Sequence, residues 1–215
     1  MLIFLILLIF SVILHEIAHG FVADRMGDPT ARLAGRLTLN PIPHIDPIGT
    51  ILLPLFLILT NAGILFGWAK PVPFDPFNLK NPRRDAAIIS LAGPATNLII
   101  AIISSLIIRL ILGTHASGIS FLVPILAGLL QINIVLGIFN LLPVSPLDGF
   151  KVVGGLLSDE QARNWYGLER YGMIFLLALI FPLLPGGGSM LSAILGPAVN
   201  FISGLLLPSG MIGTI

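Results

Sequence analysis

The chain has 215 residues, of which 56% are hydrophobic and only 10% are charged, and its formal net charge is +1. Soluble domains carry about 25% charged residues, so this chain has too few to cover a water-facing surface, and its long apolar runs indicate lipid as the solvent. The small net charge excludes the basic field that nucleic-acid binding requires. Because cysteine is absent, any metal must be held by His, Asp or Glu.

Long apolar runs predict an all-α polytopic membrane protein with five to six transmembrane helices, since one crossing needs about 20 mostly apolar residues. The five clearest runs are Met1 to Val22, Ala86 to Leu112, Ile119 to Leu142, Tyr171 to Leu184 and Met190 to Leu207. The last two form a C-terminal helical pair, at about 165–208, separated by a break at Pro185 to Gly188. The N-terminal run lacks a basic start and a cleavage pattern, so we expect it not to be a removed signal peptide. We expect a single domain over 1–215.

Three polar segments between these runs hold ten of the eleven Lys and Arg residues. The segments are Ala23 to Asp46, Gly67 to Asp85 and Pro143 to Arg170. Basic loops favour the cytoplasmic side, and all three segments can share it only if the apolar stretch Pro47 to Phe66 enters the membrane and returns. Pro54, Asn61 and Gly63 disfavour a continuous helix and so favour this re-entrant path. An ordinary sixth crossing is the alternative.

The first polar segment contains a stretch with an alternating pattern. Ala31 to Asn40 alternates small or apolar residues with polar ones. This pattern predicts a short β-ribbon, closed by Pro41 and Pro43.

The sequence HEIAH at the end of the first run has the spacing of a metal site. His15 and His19 are four residues apart, so on a helix both imidazoles project from one face and reach one Zn²⁺ at roughly 2.0–2.1 Å. Glu16 is rotated about 100° from His15 and lies beside the metal, where its carboxylate can move a proton between water and a leaving amine. Burying such groups after fourteen uncharged residues costs roughly 2.5 kcal/mol or more, which marks them as functional. The alternative is that the two histidines and the glutamate merely lie at the interfacial end of a helix.

A catalytic zinc needs a third protein ligand and an open position for water. Of the two other histidines, we expect His44 in a loop. We expect His115 on a turn at the membrane face opposite the basic polar segments. Asp148 is the better candidate, because it follows the end of an apolar span at Asn140 to Pro143 and precedes Gly149. An ordinary helix N-cap is the alternative for Asp148, and spacing alone leaves both open.

Three blocks of the chain resemble the site-2 protease family of intramembrane metalloproteases, in its short form. HEIAH at His15 to His19 is similar to the zinc-binding helix, and GPATN at Gly93 to Asn97 is similar to a G-P-x-x-N signature on the next core helix. NLLPVSPLDG at Asn140 to Gly149 is similar to the N-x-x-P-x-x-x-x-D-G block. The order and spacing of these three blocks fit the family over about residues 1–155, which we expect to be the catalytic core. Gly35 to Thr50 also resembles members without an appended PDZ domain.

The resemblance implies one Zn²⁺ per chain and a role for each matching residue. His15, His19 and Asp148 would bind the zinc, and Glu16 would be the general base. Asn140 would position substrate or stabilise an oxyanion, with a helix–helix hydrogen bond as its alternative. Close packing at Gly93 and Pro94 and a hydrogen bond across helices from Asn97 are also expected.

The function implied is an intramembrane zinc endopeptidase that cleaves transmembrane segments of other proteins, in the cell membrane, with its active site toward the cytoplasmic side. The β-ribbon would receive the unwound substrate as an added strand. The alternative is a metal-binding membrane transporter that uses the same His and Asp cluster for passage. Glu16 discriminates between the two, because a transport site needs no base beside its metal.

Overall fold

The computed structural model describes residues 2–60, 67–114, 117–181 and 189–208, and in these ranges it is helical with no β-strand. Three described helices are long and apolar enough to cross a membrane: α1 (Leu2–Arg25), α4 (Pro82–Gly113) and α5 (Leu122–Asn140). At 1.5 Å per residue they measure about 36, 48 and 29 Å, against a hydrocarbon core of about 30 Å. The first, second and third predicted crossings are therefore present as helices that are long and apolar enough to span a membrane, and the predicted count of five to six is not reached in the described ranges.

Close packing of α4 against α1 and α5 builds the centre of the molecule. Glycines permit this packing: a Cβ at Gly128 of α5 would lie 2.5 Å from the Phe4 ring of α1, and one at Gly137 would lie 3.4 Å from Leu98 of α4. Small residues at such crossings let helix backbones approach in lipid, where no hydrophobic force drives association. The outward faces of α1 and α4 remain apolar, with exposed Phe4, Ile6, Phe10, Ile99, Ile103, Leu106 and Leu110.

Shorter helices complete the described fold. They are α2 (Thr30–Leu33), α3 (Leu53–Leu59), α6 (Asp148–Leu156), α7 (Asp159–Tyr166), α8 (Gly172–Ile180) and α9 (Met190–Leu206). Helix α9 packs through Leu195 and Val199 against the cluster between α4 and α5. The described part of α8 has nine residues, about 14 Å, too short for a crossing. Pro182 and the predicted break at Pro185 to Gly188 lie outside the described residues.

The β-ribbon predicted at Ala31 to Asn40 is absent, because the backbone donors there are used locally. The N–H groups of Leu33 and Ala34 donate to Pro29 and Thr30, and that of Arg36 donates to Ala31 at 2.9 Å. Thr30–Leu33 is a helical turn. A ribbon needs those donors for a neighbouring strand, so this prediction was wrong.

The predicted re-entrant stretch starts with a π-helical turn at Pro47–Leu52 and continues as α3 to Leu59. These 13 residues rise about 20 Å. Residues 61–66, with Asn61 and Gly63, lie outside the described part. The chain beyond them lies beside the entry point, since the Trp68 N–H donates to the Gly49 carbonyl at 3.1 Å and the Lys70 N–H to the His44 carbonyl at 2.9 Å.

Candidate metal centre

Three predicted ligands from distant parts of the chain converge at one point. His15 and His19 lie one turn apart on α1, with their Nε2 atoms 3.0 Å from each other. Asp148, the first residue of α6, places Oδ2 at 3.1 Å from Nε2 of His15 and 3.3 Å from Nε2 of His19. These separations match the edge of a tetrahedron around a metal bound at about 2.0–2.1 Å, which is roughly 3.3 Å.

The hydrogen-bond partners of the two rings show which nitrogens carry protons. Nδ1 of His15 lies 2.6 Å from Oδ1 of Asn97, and Nδ1 of His19 lies 2.7 Å from the backbone carbonyl of Ile89. Carbonyl oxygens only accept, so both Nδ1 atoms are donors, and in the neutral rings both Nε2 atoms carry lone pairs. Oδ2 of Asp148 is buried without a hydrogen-bond partner. With both rings neutral, three acceptors therefore face one point, an arrangement that a divalent cation satisfies.

Two glycines let the ligands approach. A Cβ at Gly93 of α4 would lie 2.5 Å from Cε1 of His15 and 2.5 Å from Nε2 of His19, so the expected close packing at this residue is confirmed. A Cβ at Gly149 would collide with the backbone carbonyl of Leu141. The turn that brings Asp148 to the histidines therefore has no room for a side chain at the next position.

Glu16 lies beside the three ligands and not among them. Its Oε2 accepts a hydrogen bond of 2.9 Å from the backbone N–H of Val72, which belongs to the polar segment after α3. A cavity of about 410 Å³ opens at this point. Its polar lining comprises His15, Glu16, His19, Ser90, Asn140, Asp148 and Lys151. Asn140 is the last residue of α5 and lines this cavity. Its amide donates to the Leu136 carbonyl at 3.0 Å, a bond within α5 and not the helix–helix hydrogen bond of the alternative.

Other predicted polar residues have structural partners. Asn97 donates to Oδ1 of Asn133 across the α4–α5 contact at 2.8 Å, which confirms the expected hydrogen bond between helices. His44 is buried in its loop, with Nε2 3.0 Å from the Thr38 carbonyl, and His115 lies outside the described residues.

Two residues with contacts at or near the site, Asn133 and Val72, were not predicted. An Asn within an apolar run was the available signal for the first, and the backbone contact of the second has no sequence signature.

Three apolar helices long enough to cross a membrane and a His, His, Asp group that could hold a metal beside a glutamate together define a class of helical membrane protein. Known proteins have sequences similar to that of this chain. The model of the family described as "Peptidase family M50" matches residues 3–118 and 113–179. "Putative zinc metalloprotease YwhC" of Bacillus subtilis is 42% identical over 186 residues, which cover 83% of this chain and 80% of that protein. No solved structure gives a significant match.

Two further relatives also have names that describe a zinc metalloprotease. "Putative zinc metalloprotease Rip2" of Mycolicibacterium smegmatis is 34% identical over 79% of this chain and 63% of its own length. "Zinc metalloprotease MJ0392" of Methanocaldococcus jannaschii is 28% identical over 72% of this chain and 34% of its own length. The chain belongs to peptidase family M50, the site-2 protease family, and is a zinc metalloprotease. These matches do not favour the metal-transporter alternative.

Proposed function

We propose that this protein is an intramembrane endopeptidase that hydrolyses peptide bonds in transmembrane segments of membrane proteins. One zinc would be held by His15, His19 and Asp148, and Glu16 would be the general base. The observation that carries this proposal is the convergence of two imidazole nitrogens and one carboxylate oxygen at one point, where His15, Glu16 and His19 lie on a helix long enough to cross the membrane and Asp148 comes from α6. When bound, zinc supplies Lewis-acid polarisation of a carbonyl and activation of water.

Glu16 is suited to move the proton. The Val72 N–H holds Oε2 of Glu16 at 2.9 Å, which fixes the carboxylate at the edge of the cavity. The oxygen Oε1 can then accept a proton from the attacking water and later deliver it to the leaving amine. Asn140 lines the same cavity, and its amide could turn a donor toward negative charge that develops on the substrate carbonyl.

The position of the site along α1 supports cleavage within the bilayer. His15 lies ten residues before Arg25, the last residue of α1, a distance of about 15 Å along the helix. The preceding fourteen residues contain no charge. A substrate reaching this depth would be a transmembrane helix, whose carbonyls are bonded internally, so it must unwind locally before water can attack.

The contacts between the first two polar segments, Ala23 to Asp46 and Gly67 to Asp85, support a cytoplasmic site and a re-entrant path. Arg36 of the first segment donates to the carbonyls of Lys70 and Pro71 in the second, at 2.6 and 3.3 Å. Asp28 accepts from the Asp75 N–H at 2.7 Å. Segments in such contact lie on one face of the membrane, and their shared positive charge favours the cytoplasm. The stretch 47–66 would then enter and return, in a multi-pass protein of the cell membrane.

Helix α9 would add a further crossing. Helix α9 has 17 residues, about 26 Å, and Oγ of Ser203 donates to Gln131 of α5 at 3.0 Å. A helix of that length beside α5 can cross with slight thinning of the bilayer.

Co-expression with tagged single-pass membrane proteins tests the proposed function. The intact protein should convert one or more of these candidates into a shorter fragment, cut within the transmembrane segment. Glu16→Gln keeps the shape of the side chain but removes the base, so fragment formation should fall by at least ~10²-fold. Glu169→Gln, an exposed position, is the matched control and should cleave normally. Undiminished cleavage by Glu16→Gln would contradict the assigned base.

A further inference from the structure

A line of buried polar side chains leads from His15 away from the cavity into the contact between α1, α4 and α5. Nδ2 of Asn97 donates to Oδ1 of Asn133 at 2.8 Å, and Nδ2 of Asn133 donates to Oγ of Ser11 at 2.8 Å. The side chains of Ser11, Asn97 and Asn133 are fully buried, and none of the three lines the cavity. Polar groups at such depth are costly in lipid and tend to be functional.

The direction of every hydrogen bond in this line is set by two backbone carbonyls at its far end. Oγ of Ser11 donates to the Leu7 carbonyl, and Nδ2 of Asn133 also donates to the Leu129 carbonyl, each at 2.8 Å. A carbonyl only accepts. The NH₂ of Asn133 must therefore face Ser11 and Leu129, so Oδ1 of Asn133 faces Asn97. The NH₂ of Asn97 must then face Asn133, which turns Oδ1 of Asn97 toward His15.

This direction decides which nitrogen of His15 can bind a metal. If the Asn97 amide were rotated by 180°, its NH₂ would face Nδ1 of His15 and require a lone pair there. The proton would then sit on Nε2, which faces Asp148, and that atom could not be a ligand. His19 does not have this ambiguity, because its Nδ1 bonds a backbone carbonyl, that of Ile89. Only His15 depends on an amide that can be oriented in two ways.

We propose that Asn133 is a positioning residue for the metal centre, with Ser11 in support. It orients the Asn97 amide so that His15 presents the lone pair of Nε2 to the zinc. This inference rests on the proposed function insofar as His15 is a zinc ligand. Asn133 touches neither the metal ligands nor the cavity, so its effect passes entirely through Asn97.

The test measures the zinc Kd of purified, metal-stripped protein by competition with a chelator, together with the thermal midpoint in EDTA. Asn133→Leu removes the acceptor that orients Asn97 and should weaken zinc binding by about 10-fold, as is usual for a lost outer partner of a ligand. Asn133→Asp is the conservative rescue. Beside the Leu129 carbonyl its buried carboxyl would be protonated, donating there while still accepting from Asn97, so zinc binding should stay near that of the intact protein.

A double-mutant cycle separates orientation from general stability. In Asn97→Asp an oxygen faces Nδ1 of His15 in either orientation of the carboxyl group, while the other oxygen, protonated, can donate to Oδ1 of Asn133, so the proton stays on Nδ1 of His15. Asn133→Leu should therefore lose its effect on the zinc Kd in the Asn97→Asp background. A merely structural role of Asn133 would lower the thermal midpoint in both backgrounds and would leave the zinc Kd unchanged in both.

Three outcomes would overturn the proposal. They are a folded Asn133→Leu with the zinc Kd of the intact protein, an equal loss of affinity in the Asn97→Asp background, and a folded Asn133→Asp that loses zinc. The last decides the matter if Asn133→Leu does not fold. Failure of the proposed function gives a different result, because the intact protein would then bind no zinc, or His15→Ala would leave the Kd unchanged.

Discussion

Gly93 of α4 and His15 of α1 are in such close contact that no side chain fits between them. A Cβ at Gly93 would lie 2.5 Å from Cε1 and 2.6 Å from Nε2 of His15. The absence of a side chain at Gly93 lets the second core helix pack directly over the metal-binding face of the first. The distance between these helices and the position of the imidazoles are thus set together.

Gly93→Ala should therefore impair zinc binding. The added methyl group must displace the imidazoles or separate α1 from α4, and overpacking of this kind costs about 1–3 kcal/mol. We expect a weaker zinc Kd and a lower thermal midpoint in detergent. Gly196→Ala is the matched control, since a Cβ at Gly196 of α9 meets nothing within 4 Å and alanine favours a helix. Normal zinc binding in Gly93→Ala would show that the rings are not confined there.

Asn140→Ala should slow cleavage without unfolding the protein. If the amide stabilises the developing oxyanion, its removal should lower kcat by on the order of 10-fold or more, with little change in KM. The lost bond to the Leu136 carbonyl is intrahelical and contributes little to stability. Kinetics on a cleaved substrate and a thermal melt together check this prediction. A lower thermal midpoint with unchanged kcat would assign Asn140 a structural role.

Asp28 joins the two basic segments and should make stability depend on pH. Burial acts to raise the pKa of this carboxyl, but hydrogen bonds from Thr30, Asn78 and the Asp75 N–H lower the pKa below its ordinary value. The unfolded chain then binds the proton more readily than the folded one. The stabilisation is complete above the ordinary pKa of about 4 and is lost as pH falls through the lower folded value.

Asp28→Asn should consequently destabilise the protein at neutral pH, by about 1–3 kcal/mol for donors left unsatisfied. The difference from the intact protein should shrink as pH falls below about 4. Thermal midpoints in detergent at neutral and acidic pH measure it. Asp159→Asn is the control, because that carboxylate is 92% exposed in its pair with Arg83 and such pairs contribute little. A pH-independent difference for Asp28→Asn would contradict this account.

Regular spacing explains which parts of this site could be predicted from the sequence. His15 and His19 share a helix face because four residues make about one turn, and the break before Asp148 marked the end of a span. The ribbon at Ala31 to Asn40 could not be judged in this way, since alternation does not reveal that Arg36 bonds back to Ala31.

Long-range partners account for what the sequence did not predict. The bond from the Val72 N–H to Glu16 joins residues 56 positions apart, and that from Asn133 to Ser11 joins residues 122 positions apart. A polar residue in an apolar run indicates that some partner exists. Which partner it is depends on how the helices pack.

The re-entrant topology predicts that the first two polar segments, Ala23 to Asp46 and Gly67 to Asp85, are labelled from the same side of the membrane. Single cysteines can be introduced cleanly because the chain has none, and Leu33 and Phe77 are well exposed, at 77% and 95%. In intact cells an impermeant maleimide should label Gly118→Cys, beyond α4, and spare Leu33→Cys and Phe77→Cys. All three should label after lysis. Labelling of only one of the latter two in intact cells would make 47–66 a full crossing.

The zinc content of purified ligand variants tests the central claim most directly. Elemental analysis should find about one zinc per chain in the intact protein, since one His, His, Asp set is available. Glu16→Gln should keep that zinc, because Glu16 is not a ligand, and His44→Ala should keep it too. His15→Ala, His19→Ala and Asp148→Ala should each lose most of it while remaining folded. Zinc-free intact protein, or unchanged zinc after His19→Ala, would contradict the account.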